Sequence, residues 1–127
     1  MKNNYVFKNL ANKEFVLGTD KQDIFFNMLD VMRKGNLTLF TQSFSDLVYL
    51  LEKDSYYIAH HLIVYKGKKA IFAGQLVRAF KAQLIDFIQH AINHDDLRPF
   101  LISSIFSQDY KRVFYLTEEG FYLYDVK

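Results

Sequence analysis

The chain predicts an α+β fold. One domain is expected over residues 1–127, with an antiparallel or mixed sheet of hairpins packed against about four helices. Three observations predict it. Two long stretches repeat apolar side chains at helical spacing. Two pairs of β-rich runs are joined by short glycine-bearing turns, as in hairpins. Half of the 127 residues are hydrophobic and 24% are charged. A chain of this size buries about two thirds of its unfolded surface, which needs neither a disulfide nor a metal.

The elements follow in the order ββ-α-β-α-ββ-α-α-ββ. Tyr5-Val6-Phe7 and Phe15-Val16-Leu17 read as short strands around an Asn-rich turn over residues 9–13. Residues 20–34 read as a helix capped by Thr19 or Asp20. Its stripe is Ile24, Phe25, Met28, Leu29 and Met32, its last turn carries Arg33 and Lys34, and Gly35 supplies the residue beyond. A strand over residues 37–41 comes next. Ser43 or Ser45 then caps a helix with Phe44, Leu47, Val48 and Leu51 on one face.

Residues 56–65 read as one long strand, apolar on both faces and so central in its sheet. Lys66-Gly67-Lys68 turns it back into a strand over residues 69–73. Residues 75–93 read as the longest helix, with Val77, Phe80, Leu84, Phe87, Ile88 and Ala91 on one stripe. Pro99 suits the first turn of a short helix reaching Phe106. Residues 112–117 and 121–126 form the last hairpin around Glu118-Glu119-Gly120.

Composition excludes several classes. The absence of Cys excludes a disulfide scaffold, a Cys zinc site and a Cys nucleophile. One Pro and five Gly exclude collagen-like and linker-type chains. Sixteen basic residues against fourteen acidic give +2, a balance that leans against a nucleic-acid domain without excluding one. No apolar run has the length of a signal peptide or a membrane span, so a cytoplasmic protein without a membrane partner is expected. No phosphate loop, dinucleotide fingerprint, nucleophile elbow or HExxH motif occurs.

Four constellations remain. Asp86, His90 and His94 fall at i, i+4 and i+8, along one helix edge where two imidazoles and a carboxylate would suit a divalent metal. The same spacing also describes a solvated edge with histidines at the favourable end of the dipole. His60 and His61 are adjacent on a strand, so they point to opposite faces and do not share a site. Tyr115, Tyr122 and Tyr124 in the last hairpin alternate with Phe121 and Leu123, which take the core. Lys66, Lys68 and Lys69 form a basic hairpin tip suited to an acidic partner.

The expected function is therefore non-catalytic: a small cytoplasmic protein that recognises another protein, of inhibitor, immunity or regulatory type, without a cofactor. The binding residues expected are Tyr115, Tyr122, Tyr124, Lys66, Lys68 and Lys69, with self-association as good a use of the last hairpin as a foreign partner. That hairpin is expected at a sheet edge. Two alternatives stand beside it: a small metal-dependent enzyme using Asp86, His90 and His94, with His60 as an added base; and a nucleic-acid module using the lysine tip and the Tyr-rich hairpin.

Overall fold

A computed structural model describes residues 7–98 and 100–126. In chain order the elements are β1 (Glu14–Phe15), α1 (Gly18–Lys34), β2 (Asn36–Thr41), α2 (Ser45–Leu50), β3 (Ser55–His60), β4 (Ile63–Lys66), β5 (Lys69–Phe72), β6 (Leu76–Phe80), α3 (Lys81–Asn93), β7 (Ser103–Phe106), β8 (Arg112–Thr117) and β9 (Gly120–Asp125). Seven strands make one sheet in the order β1-β6-β3-β7-β8-β9-β2, and β4 and β5 make a separate two-stranded sheet. Every pairing is antiparallel. The α+β class holds, with three helices among the described residues rather than four.

Strand alternation explains the layers. Ile58, Val77, Ile105, Phe114, Leu116 and Phe121 point to one face, where α2 supplies Leu47 and Leu51 and α3 supplies Leu84, Phe87 and Ile88. Ala59, Leu76, Phe106 and Val113 point to the other, where α1 supplies Phe25 and Met28 and the β4–β5 hairpin supplies Phe72. Both faces of the sheet are covered at its centre, which is why β3 and β7 carry apolar residues without alternation. The first helix follows the predicted stripe: Phe25 and Met28 are buried, with Ile24, Leu29 and Met32 packed partly against them.

Three expectations are corrected. The predicted helix over 75–93 is two elements. Residues Leu76 to Phe80 extend as β6 between β1 and β3, and only Lys81–Asn93 is helical. Val77 is buried by strand alternation, and Phe80 is 56% exposed instead of sitting on the stripe. Val77, Phe80 and Leu84 match a helical repeat by coincidence; β3 offers the backbone a ladder that outweighs it.

The second correction is the helix expected from Pro99 to Phe106. Pro99 lies outside the described residues, and Ser103–Phe106 is β7, buried at all four positions between β3 and β8. Four residues, Ser-Ser-Ile-Phe, are too short a run for periodicity to separate a helix from a fully buried strand.

The third is the long strand over 56–65. It ends at His60, and β4 leaves the sheet. The break is held by the His61 N–H donating to the Ile102 carbonyl at 2.8 Å and the Ala73 N–H donating to the Leu62 carbonyl at 2.7 Å.

At the chain start, Tyr5 and Val6 lie outside the described residues. Phe7 sits in a turn with φ 58°, and the second short strand is Glu14–Phe15. Gly35 does not take the left-handed conformation expected after α1; its φ is −79°. Its smallness serves a close approach, because a Cβ there would stand 2.9 Å from the Val31 carbonyl oxygen and 3.2 Å from that of Asp125.

Candidate protein-recognition surface

The last hairpin is not at a sheet edge. β9 is paired on both sides, with β8 and with β2, so β2 is the edge strand at this end of the sheet and β1 the edge at the other. Topology alone places it there: β2, the second sheet strand along the chain, is the last in the spatial order, beyond β9. The strand reads Asn36-Leu37-Thr38-Leu39-Phe40-Thr41 and carries no charge. Its first five residues are all exposed, Leu37 at 53% and Phe40 at 42%. Natural edge strands are commonly guarded by a lysine, a proline, a cover or a bulge; β2 carries neither lysine nor proline, and its one guard is a bulge.

Register is irregular between Leu37 and Leu39: Leu37 pairs with Tyr124, Leu39 with Leu123 and Phe40 with Tyr122. One extra residue, Thr38, is therefore absorbed as a bulge. Its hydroxyl oxygen lies 3.2 Å from the Leu123 carbonyl and 3.0 Å from Asp125 Oδ2. A bulge shifts the side-chain phase by one. Leu37 and Phe40, three residues apart, consequently share a face with Tyr124 and Tyr122.

On that face an aromatic row crosses the molecule. Phe72 stacks on Phe25 at 3.9 Å, and Phe25 meets His61 at 5.2 Å. His61 meets Tyr115 at 5.0 Å, Tyr115 lies 6.4 Å from Tyr122, and Tyr122 lies 4.7 Å from Phe40. The inner end is core and the outer end is surface. Tyr115, Tyr122 and Tyr124 are each partly buried, and Tyr124 packs against the α1 cluster. Burial pushes the Tyr115 phenol up, with Tyr124 and Tyr122 adding to the shift. The outermost ring, Phe40, was missed by sequence reasoning. Its signal was present as an uncharged run with β-branched and aromatic residues, but edge position is not written in a local pattern.

The lysine tip is elsewhere. Lys66 and Lys69 face each other at the end of the β4–β5 hairpin, which is exposed along all of β4 and packs on α1 through Phe72. Among the described residues no carboxylate forms an ion pair with Lys66, Lys68 or Lys69. The hairpin belongs to its own two-stranded sheet, separate from the sheet that holds β8 and β9.

Asp86, His90 and His94 do not form a cage. α3 ends at Asn93, and His94 folds back so that its Nδ1–H donates to the His90 carbonyl at 2.9 Å. The two rings lie 4.0 Å apart. Among the described residues no group of three His, Asp or Glu side chains is placed to hold a metal ion.

His60 and His61 part as expected. His60 lies opposite Ser103, while Nε2 of His61 is 2.6 Å from the Ser104 hydroxyl. Burial, followed by the neighbouring His60, pushes His61 down to about 4. A serine beside a neutral imidazole has the elements of a nucleophile and its base. Here Ser104 is wholly buried under α1, with Met32 Sδ 4.0 Å away, so no substrate reaches it. The bond satisfies the buried Ser104 hydroxyl with a partly buried imidazole.

A cavity of about 320 Å³ lies near Lys53, Tyr56, Asp109, Lys111, Arg112 and Asp125. Arg112 bridges Asp125 at 2.9 Å and Glu52 at 2.8 Å, and Lys53 meets Asp109 at 3.2 Å. The Ser107 hydroxyl, the Lys111 N–H and Lys53 hold Asp109 down to about 2. Each carboxylate already has its cation. The cavity wall is largely a set of ion pairs tying the end of α2 to the sheet, and its carboxylates are already engaged by Arg112 and Lys53.

Among the described residues no helix is long and apolar enough to cross a membrane. Comparison with protein-family models, curated proteins and solved structures gave no match.

Proposed function

We propose that this chain is a non-catalytic protein-recognition module of the cytoplasm, of the inhibitor, immunity or regulatory kind, and that it binds through the β2 edge and the aromatic end beside it. The observation that carries the reading is the six-residue edge strand, uncharged and exposed at its first five positions. Such an edge offers a row of backbone donors and acceptors to another strand, with side chains on alternate faces giving specificity. Phe40 and Tyr122 supply the aromatic anchor that protein interfaces favour. The burial of Ser104 beside His61, and the ion pairs that already engage the carboxylates of the cavity, support binding over catalysis.

The lysine tip enters as a second contact with an acidic region of the same partner. The test is affinity capture on immobilised protein beside two variants. A partner retained by the wild type should be lost with Phe40→Lys and only weakened by Lys66→Ser, Lys68→Ser. Equal retention by the Phe40→Lys chain would remove β2 from the binding surface.

A further inference from the structure

The geometry points to a second copy of this chain as the protein seated on β2. We infer an antiparallel β2–β2 pairing about a two-fold axis that passes beside Thr38 and Leu39; this rests on β2 being the recognition edge. Two features of the strand select a copy of itself.

The first is face parity. A two-fold axis perpendicular to a sheet keeps each side chain on its own face, and cross-strand neighbours must share a face. Centred between Thr38 and Leu39, the axis sets Leu37 opposite Phe40 of the second copy, and Asn36 opposite Thr41. In a regular strand Leu37 and Phe40 would point to opposite faces, and that register would fail. The Thr38 bulge puts them on one face, with Tyr124 and Tyr122 behind them. The same irregularity that ordinarily spoils an edge for a straight foreign strand makes this edge complementary to a copy bearing the identical bulge. Leu37 and Phe40 would then cover each other twice, closing an exposed apolar patch from both sides.

The second is charge. β2 itself has none to repel a copy. Its entry is net basic, with Arg33 and Lys34 in the last turn of α1 sharing the single carboxylate of Asp30; its exit is acidic, with Asp46 in the first turn of α2. Antiparallel pairing brings the basic end of each copy to the acidic end of the other. A parallel arrangement would set like against like. The assembly is a closed dimer with a continuous sheet of fourteen strands, twice the seven of one chain.

Sedimentation over a hundredfold concentration range should give a monomer–dimer equilibrium. Phe40→Lys should raise its dissociation constant at least tenfold while circular dichroism stays native. The chain has no Cys, so register can be read by cross-linking. Directly opposed residues stand at Cα distances that accept a disulfide. Under a mild thiol oxidant, an equimolar mixture of Leu37→Cys and Phe40→Cys chains should give disulfide dimers several-fold more readily than either variant alone. This second arm holds even if Phe40→Lys proves unstable. A wild type that stays monomeric throughout, or a dimer indifferent to both arms, overturns the pairing. If the monomer still captures a foreign protein in a Phe40-dependent way, the recognition reading stands and only the self-pairing falls; if capture is also indifferent to Phe40, both fall.

Discussion

His61 Nε2 stands 2.6 Å from the hydroxyl of the buried Ser104, and the bond ties the residue just past β3 to the strand beside it. Neutral imidazole satisfies the serine at no electrostatic cost. A protonated ring would be a desolvated cation set against Phe25 and Tyr115 and repelled by the neighbouring His60.

Stability should therefore fall on mild acidification. The His61 pKa is lowered in the folded state, from the usual 6.5 to about 4. Above 6.5 neither state holds the proton and the contribution is intact. Between 6.5 and 4 the unfolded chain takes up a proton that the folded chain refuses, so stability drops as pH falls. At about 1.4 kcal/mol per pH unit, the loss reaches roughly 3 kcal/mol near pH 4. Burial lowers His60 as well, in the same direction. Urea unfolding at a series of pH values checks this. His61→Gln, which keeps a hydrogen-bonding group for Ser104 and cannot titrate in this range, should flatten most of the slope. An unchanged slope would show that His61 is not the group responsible.

Leu84 and Phe80 separate strand from helix at the β6–α3 junction. Leu84→Ala should cost about 2–5 kcal/mol, as for a leucine lost from a packed core. Phe80→Ala, at a residue 56% exposed, should cost under about 1 kcal/mol. Chemical denaturation of the two variants gives the comparison. Equal large losses would restore a single helix through both positions.

Tyr56 carries a hydrogen-bonding duty that its place among core residues conceals. Its hydroxyl oxygen accepts from the backbone N–H groups of Glu52 and Lys53, both at 2.7 Å. Tyr56→Phe keeps the ring and removes the acceptor, leaving two amides to find water or none. A loss of about 1–3 kcal/mol is expected. Faster hydrogen exchange confined to the Glu52 and Lys53 amides would locate the effect; unchanged exchange there would refute it.

Zinc should leave the melting temperature where it is. A metal bound to the folded state alone raises stability once its concentration exceeds the dissociation constant. The His94 ring is turned to its own helix carbonyl, which leaves Asp86 and His90 without a third ligand from that residue's Nδ1. A zinc-dependent rise that disappears in a His90→Ala, His94→Ala variant would reinstate the metal reading.

The sequence determined the elements with strong local signals. Met28 and Phe25 announce α1 by spacing, and Phe121 and Leu123 take the core against Tyr122 and Tyr124 because strand alternation leaves no other choice. The Lys66 to Lys69 turn announces its hairpin in the same way. These depend on neighbours a few residues apart. Tertiary structure decided the rest. Leu76 to Phe80 is a strand because β3 and β1 lie on either side of it, and Ser103 to Phe106 because β3 and β8 do. Tyr124 is packed rather than open because α1 returns across its face, and β2 is the edge because β8 and β9 fill the positions before it. Backbone hydrogen bonding is satisfied by partners that are close in space and distant in the chain, so whether a strand is inner or outer, and whether Phe40 meets protein or water, is fixed only when the sheet closes around it.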